Sequence, residues 1–179
     1  MKQKLHLVLG KDDLRPIFKF MLLSREVVVA TNSHILVVHD PNEIFEQHFI
    51  DTIPDGEWLV PAKAVQEMSK PKAFYYVKDG YLNIEIKGSK TAYKMIPNGG
   101  EEGTYPNYTV VIPESYGYEA NIIQVNPALL NDLRQAIEPE SPGVILEFSG
   151  LGRAMKVRVS DRFDIKNYKA VIMPMMLNE

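Results

Sequence analysis

The sequence predicts an α+β protein in which short helices pack on antiparallel sheets. Short runs of β-branched and aromatic residues recur along the 179 residues, which is the pattern of strands. Turn pairs such as Asp79-Gly80 separate several runs and predict hairpins. Three of the runs lead into helical patterns that begin with Asp, Asn or Pro. Together these features predict about three βαβ(β) repeat units of roughly 60 residues each.

The composition is that of an ordinary globular protein. Hydrophobic residues make up 45% and charged residues 24% of the sequence, which excludes a mainly disordered chain. No apolar run approaches the roughly 20 residues of a membrane-spanning helix, and the apolar stretch near the N-terminus is too short for a signal peptide. The chain has no cysteine, which is compatible with a reducing compartment. We therefore predict a cytoplasmic protein that does not enter a membrane.

The first unit is predicted from four segments. Residues 4–9 have the composition of a strand, and Asp13 is a candidate N-cap for a helix over residues 14–22. Residues 26–30 and 34–39 then predict two strands around a tight turn.

The second unit begins after a segment without a clear pattern. Residues 41–56 are predicted as a loop or an irregular edge segment. Residues 57–60 predict a strand, and residues 61–69 predict a helix whose first position is a proline. The remaining predicted strands of the unit are residues 73–77, 81–87 and 90–96.

A composition break divides the chain after the second unit. The glycine-rich residues 98–103 lead into an extended linker, after which the strand and helix patterns start again. A strand over residues 121–125, an N-cap at Asn126 and a helix are followed by a hairpin and a last strand. We therefore predict a domain of two units over residues 1–104, a linker over 105–117 and a third unit over 118–179.

The sequence predicts no catalytic, metal or cofactor site. It contains no nucleophile elbow, no phosphate-binding loop and no paired carboxylates. His34, His39 and Asp40 lie close in sequence and support one alternative, a small β-rich metalloenzyme. Positions 34 and 39 have opposite parity, however, and residues of opposite parity in a strand point to opposite faces.

Positive charges recur on the predicted helices. Lys11, Arg15 and Lys19 are spaced by four residues, which places them on one face of the first predicted helix. Lys63 and Lys70 accompany the second. A basic helix face can contact DNA phosphates without sequence preference, although a solvated face is the simpler alternative. The net charge of −3 argues against strong, diffuse binding of nucleic acid.

The C-terminal residues are unusually apolar. Met173, Met175 and Met176 surround Pro174, and methionine repacks easily around different partners. This pattern indicates an adaptable hydrophobic binding surface, and a last strand buried in its own core is the alternative.

Four segments contain short motifs: Ala-Thr-Asn-Ser-His-Ile-Leu at 30–36, Val-Pro-Ala-Lys at 60–63, Tyr-Pro-Asn-Tyr-Thr-Val-Val-Ile-Pro at 105–113 and Ala-Val-Ile-Met-Pro-Met-Met-Leu at 170–177. All four resemble segments of the bacterial sliding clamp, the beta subunit of DNA polymerase III. Residues 30–36 resemble its Ala-Thr-Asp-Gly-His-Arg-Leu, and residues 60–63 resemble its Val-Pro-Arg-Lys. Residues 105–113 resemble the clamp linker Phe/Tyr-Pro-Asp-Tyr-x-x-Val-Leu/Ile-Pro, and residues 170–177 resemble the C-terminal Tyr-Val-Val-Met-Pro-Met-Arg-Leu. The four segments occur in the order that the family has.

This resemblance implies a non-catalytic, clamp-like processivity factor that is a homo-oligomer. Its helices would contact duplex DNA without sequence specificity, and a hydrophobic cleft would bind peptides of a DNA polymerase or a clamp loader. The candidate DNA-binding residues are Lys11, Arg15, Lys19, Lys63 and Lys70. The candidate cleft residues are Thr31, Ser33, His34, Ile35, Leu36, Pro106, Val111, Val171, Met173, Pro174, Met175, Met176 and Leu177. The alternative is a clamp-fold regulator of replication that binds peptides and does not encircle DNA.

The sequence also departs from the clamp pattern. Ser33 replaces the glycine of the first motif, Ile35 replaces its arginine, and Met176 replaces the arginine near the end. Clamp chains are longer, so the second clamp domain is predicted to be shortened here. The third unit must then pack on the first domain or on another copy of the chain.

Overall fold

The computed structural model describes residues 1–11, 13–114, 123–150, 152–159 and 167–175. Eleven strands lie in these ranges: β1 (Phe20–Leu23), β2 (Val28–Thr31), β3 (Ile35–His39), β4 (Trp58–Pro61), β5 (Phe74–Lys78), β6 (Tyr81–Ile86), β7 (Ser89–Lys94), β8 (Ile96–Pro97), β9 (Val144–Glu147), β10 (Met155–Val159) and β11 (Tyr168–Ile172).

The helices of the same ranges are short. The α-helices are α1 (Pro41–Ile44), α2 (Gln47–Ile50), α3 (Ala62–Met68) and α4 (Pro127–Ile137), and the 3₁₀ helices are Leu5–Leu7, Pro16–Lys19 and Thr109–Val111. None of these helices has both the length and the apolar character needed to span a bilayer.

The strands form two antiparallel sheets. The larger one has eight strands in the order β8-β4-β1-β2-β3-β11-β10-β9, and the smaller one has the order β5-β6-β7. The central strands of the larger sheet are buried on both faces, and all four residues of β2 are buried. Strands covered on both sides lose the apolar–polar alternation, which explains the continuous apolar runs in the sequence.

Each face of the larger sheet has its own cover. On one face the main hydrophobic core joins the sheet to α3, α4 and the N-terminal 3₁₀ helix, which contacts both α-helices. On the other face a smaller core contains Leu22, Val29, Leu36 and Val171 and is covered by Tyr105. The candidate site lies on this second face.

The structure corrects both predictions for the first 22 residues. Residues 4–9 are not a strand: Leu5, Val8 and Leu9 are buried at helical spacing around the 3₁₀ helix Leu5–Leu7. Residues 14–22 are not an α-helix, because they form the 3₁₀ helix Pro16–Lys19 and then β1. A short apolar run is compatible with a helix or with a strand. Here the run is buried on both faces of the larger sheet, and this burial favours the strand.

Two further segments differ from the prediction. Residues 41–56 contain α1 and α2, and the carboxylate of Asp40 caps α1 by accepting a hydrogen bond from the backbone N–H of Asn42 at 2.9 Å. Residues 123–125 form no strand, and residues 121 and 122 lie outside the described ranges. The strand-into-helix junction is present where β4 leads into α3.

The other local predictions are confirmed. The strands on either side of Asp79 and Gly80 form a hairpin, and these two residues have φ values of 53° and 77°. Two consecutive positive φ values are those of a type I′ turn, for which Asp-Gly is a preferred pair. The hairpin β9–β10 and the final strand β11 are also found.

The third predicted unit packs on the first one within the same chain. Strand β11 pairs with β3 along its whole length, and α4 contacts the N-terminal 3₁₀ helix. The division into domains at residues 104 and 118 stays a prediction.

Removal of the side chain that caps the N-terminus of α4 should destabilise the protein. The Asn126 side chain accepts a hydrogen bond from the backbone N–H of Ala128 at 2.9 Å. We expect Asn126→Ala to lower the free energy of unfolding by about 1 kcal/mol in urea denaturation. Asn126→Asp, which keeps the acceptor, serves as the control. Equal stability of the alanine variant and the wild type would contradict the capping role.

Candidate functional site

The turn between β2 and β3 is held rigidly by its own side chains. The Thr31 hydroxyl donates to the carbonyl of Ile35 at 2.7 Å and accepts from the N–H of Ser33. The Asn32 side chain accepts from the N–H groups of His34 and Ile35, both at 3.0 Å. Ser33 has a φ of 75°, a conformation that favours glycine, and this is the position where the resembling clamp motif has a glycine.

The end of β11 lies beside this turn. Val171 pairs with Leu36 and Ile172 with Ile35. The N–H of Met173 donates to the carbonyl of His34 at 3.0 Å and so extends the pairing beyond the last strand residue. This bond places the Met173 side chain next to the turn.

The predicted linker forms the opposite wall. Tyr105 is buried against the larger sheet, its N–H donates to the Asn98 side chain at 2.7 Å, and its ring meets Phe18 edge to face at 6.5 Å. Burial raises the pKa of the Tyr105 hydroxyl. The segment that follows is thereby fixed over the sheet and reaches the 3₁₀ helix Thr109–Val111.

These three segments surround one cavity of about 240 Å³. Nine of the predicted cleft residues line it: Thr31, Ser33, His34, Ile35, Leu36, Pro106, Val111, Val171 and Met173. The volume is somewhat below the about 300 Å³ at which small-molecule pockets begin, so the cavity suits one or two side chains of a larger partner. We name this cavity, with its walls, the cleft.

The sequence did not point to four further lining residues as cleft residues. They are Arg15, Phe18, Asn107 and Tyr108. Asn107 and Tyr108 lie within the linker motif, so that motif contained a signal for them. Phe18 belongs to a segment predicted as helix, where its apolar character indicated core. Burial, with a smaller contribution from Glu57, raises the pKa of Tyr108 above its ordinary value.

The C-terminal candidates divide into three groups. Met173 lines the cleft and is 40% exposed. Pro174 and Met175 follow it without lining the cavity, and the N–H of Met175 donates to the carbonyl of Gln124 at 2.9 Å. Met176 and Leu177 lie outside the described residues.

The structure separates the predicted DNA-binding cations. The single helix face for Lys11, Arg15 and Lys19 is wrong, because these residues do not share an α-helix. Arg15 borders the cleft, and Lys19 forms an ion pair with Asp13. Lys11 lies near α4, where it acts on His6: burial lowers the pKa of that imidazole, and Lys4 and Lys11 lower it further.

Lys63 and Lys70 belong to α3 and its C-terminal end. They lie on the side of the protein where α3 and α4 cover the larger sheet, which we name the helical side. Lys63 is exposed and forms no ion pair with any described residue. Lys70, just beyond the helix, lies 3.8 Å from a carboxylate oxygen of Glu67.

The two histidines of the alternative metal cluster lie in different environments. His34 is exposed at the cleft, whereas His39 is 1% exposed and its Nε2 lies 3.0 Å from the carbonyl oxygen of Ala136 in α4. Burial lowers the pKa of His39 to about 4. Across the described ranges, no group of three or more histidine and carboxylate side chains could hold a metal ion.

The sheets, the helices on one side and the covered second face define a sliding-clamp fold, which confirms the α+β clamp-like prediction. No protein-family model and no curated protein matches the sequence. Among solved structures, the chain is similar to the DNA polymerase sliding clamp of Bacillus subtilis, with a TM-score of 0.62 and 12% identity over 99% of this chain. It is also similar to the DNA polymerase III beta chain of Streptococcus pneumoniae, with a TM-score of 0.67 and 13% identity over 97% of the chain.

The chain is shorter than these clamps. The two alignments each cover 61% of the clamp chain, and an alignment with the Pseudomonas aeruginosa clamp covers 62% of it at 14% identity and a TM-score of 0.65. The chain thus spans about three fifths of the length of the clamps that it matches. At these identities the similarity establishes the fold.

Proposed function

We propose that this protein is a non-catalytic, sliding-clamp-like factor of DNA replication that binds partner peptides in the cleft. The observation that carries the proposal is the convergence of nine predicted residues, from three distant segments, around one cavity on a clamp fold. The proteins of that fold named above are polymerase sliding clamps. A cytoplasmic location goes with this role.

The cleft suits an extended peptide with apolar anchors. Its floor and walls include Leu36, Val111, Val171 and Met173, and apolar side chains of a peptide can be buried among them. Arg15 and His34 border the same cavity and favour a carboxylate next to the anchors. We therefore propose that the partners are short polymerase or clamp-loader segments that combine apolar and acidic residues.

We further propose that the helical side contacts duplex DNA without sequence specificity. Lys63 is exposed on α3, and Lys11 is exposed and close enough to Asp132 of α4 to act on its carboxylate. Phosphate contacts by such lysines need no base recognition and weaken as salt rises. We also propose that the protein is a homo-oligomer, as the resemblance to the sliding clamps implies.

One observation favours the alternative, a regulator that binds peptides without encircling DNA. Two of the five predicted DNA-binding cations, Lys19 and Lys70, lie in ion pairs, and Arg15 borders the cleft. The helical side therefore has fewer available cations than the sequence predicted.

Charge reversal on the helical side distinguishes the two functions. We expect Lys11→Glu with Lys63→Glu to weaken duplex DNA binding by about tenfold or more in fluorescence anisotropy at low salt, because attraction to phosphates becomes repulsion. Peptide binding should not change. Lys169→Glu, a charge reversal on the exposed side of β11, is the control, and its charge change equals that of each of the two substitutions made singly.

The molecular mass in solution, measured with and without the duplex, completes this test. Assembly of several copies on the DNA supports the clamp function. If the wild-type chain stays monomeric, does not bind duplex DNA and still binds peptide, the protein is instead the peptide-binding regulator.

A further inference from the structure

The segment that builds the smaller sheet has a charge opposite to that of the whole chain. Residues 70–94 contain six lysines and two acidic residues, Asp79 and Glu85, and therefore have a net charge of +4, whereas the complete chain has −3. Residues 1–25 and 151–170 each have the same net charge of +4, so the charge alone does not single out this sheet. It makes the sheet one of three segments to which a polyanion would be attracted, and the arrangement of its side chains distinguishes it from the other two.

One face of the smaller sheet is buried and the other is open. Tyr75, Val77, Leu82 and Ile84 belong to the hydrophobic core. The alternate positions point away from the core, and among them Phe74 is 50% and Tyr81 46% exposed. Phenylalanine is among the residues most often fully buried, so the half-exposed Phe74 ring is the informative feature of this face.

The strand register places aromatic and cationic residues on this open face in rows. Phe74 pairs with Glu85, which pairs with Lys90. At the other end of the sheet, Lys78 pairs with Tyr81, which pairs with Lys94. Tyr76 lies between the two rows on β5. The open face, defined by these residues, is named the platform.

The rings of the platform already stack on one another. The His48 imidazole lies parallel to the Phe74 ring at 5.0 Å, with an angle of 4° between the planes, and Phe74 lies 5.9 Å from Tyr76. The Lys90 ammonium is 5.1 Å from the centre of the Tyr76 ring and 3.8 Å from Glu85. On this side of the platform the rings of His48, Phe74 and Tyr76 are therefore already in contact, and the Lys90 ammonium lies beside them.

We propose that the platform binds single-stranded nucleic acid, with bases stacked on Phe74, Tyr76 and Tyr81 and phosphates contacted by Lys78, Lys90 and Lys94. Exposed aromatic rings bind unpaired bases because every base has a flat π-face. The two rows lie four residues apart along β5, which is about 13 Å, so a short run of nucleotides can lie across them. Interleaved lysines then meet the phosphates that alternate with the bases.

The platform favours a single strand over other anionic partners. In a duplex the base faces are covered, so a duplex would use the lysines alone. An acidic peptide would meet the lysines and leave the exposed rings without partners. Two carboxylates oppose any anion here, since Glu85 lies beside Lys90 and Glu101 forms an ion pair with Lys94 at 2.7 Å. Lys78 forms no ion pair with another described residue and is the cation to test first.

This site is independent of the two proposed above. The cleft and the helical side use other residues, so loss of one function leaves the platform unaffected. The experiment measures binding of a fluorescein-labelled oligothymidine of 15 nucleotides to the full chain by anisotropy, over a series of salt concentrations. A duplex of the same length and a polyglutamate peptide are measured in parallel.

We expect the double variant Phe74→Ala with Tyr81→Ala to weaken oligothymidine binding by about tenfold or more, with the salt dependence unchanged. Lys78→Ala should weaken it less and should reduce the salt dependence, because one phosphate contact is lost. Phe74→Trp, which keeps a stacking ring, should retain affinity. Lys169→Ala is the matched control for a lysine outside the platform.

Four results would overturn the proposal. One is the absence of oligothymidine binding at low salt. Another is equal affinity of the wild type and the double aromatic variant. The third is equally strong binding of polyglutamate or of the duplex through the same lysines, which would show a merely basic surface. A concentration-dependent mass that Phe74→Ala with Tyr81→Ala abolishes would instead assign the platform to contacts between copies, and this too would overturn it.

Discussion

Substitution of Met173 by aspartate is expected to lower the affinity for a polymerase-tail peptide by about tenfold or more. The Met173 side chain lines the cleft, and its N–H bond to the carbonyl of His34 fixes its position. A carboxylate there would lose hydration when an apolar anchor enters, and an unpaired buried charge is costly. Since the residue is 40% exposed, the free protein should keep its stability.

The chain offers a closely matched control for this variant. Met175 is 47% exposed, lies two residues further along and does not line the cavity. Met175→Asp should therefore leave the affinity almost unchanged, while Val111→Asp, on the opposite wall, should reproduce the loss. Binding of a labelled peptide with the C-terminal residues of a polymerase III catalytic subunit measures all three variants. Equal losses in Met173→Asp and Met175→Asp would show that the cleft is not the binding site.

Acidification should destabilise the protein through His39. The imidazole is neutral in the folded state: its Nε2 lies at the Ala136 carbonyl, and its Nδ1 is buried without a partner among the described residues. Burial lowers its pKa from the ordinary 6.5 to about 4. Between these two pH values the unfolded chain binds a proton that the folded chain does not bind. The free energy of unfolding should therefore fall from pH 6.5 to pH 4 by about 3 kcal/mol and lose nothing more from this group below pH 4.

A variant without the imidazole isolates this contribution from the carboxylates that titrate in the same range. Glu26, Asp40 and Lys169 border the same surface hollow as His39 and are present in both proteins. His39→Gln keeps an amide N–H for the Ala136 carbonyl but cannot gain a proton. Urea denaturation from pH 7 to pH 4 should therefore show a shallower loss of stability in the variant. An identical slope in both proteins, or an imidazole that titrates near 6.5 by NMR, would contradict the prediction.

Protonation of His39 bears on the cleft as well as on stability. His39 connects β3 to α4, and β3 begins at the turn that lines the cleft. Loosening of the contact between the first and third units would thus disturb the pairing of β3 with β11, on which the position of Met173 depends.

The candidate site was predictable where it depended on short motifs. Residues 30–36, residues 105–113 and the described part of the last motif, residues 170–175, all contribute side chains to the lining of the cleft. Arg15 was assigned to DNA instead, because its spacing to Lys11 and Lys19 suits a helix that the chain does not form. Spacing along the chain is informative only when the segment has the assumed periodicity.

The sequence alone determined the features that depend on a few neighbouring residues. The Asp79-Gly80 turn, the Asn126 cap and the α3 helix after Val60 all form as predicted, because caps and turns satisfy local backbone groups. Only the tertiary structure decided that residues 20–23 are a strand, that the third unit joins the first sheet through β11, and that the segment after Tyr105 closes over the cleft. These outcomes depend on which apolar faces meet, and contacts between residues far apart in the chain set that.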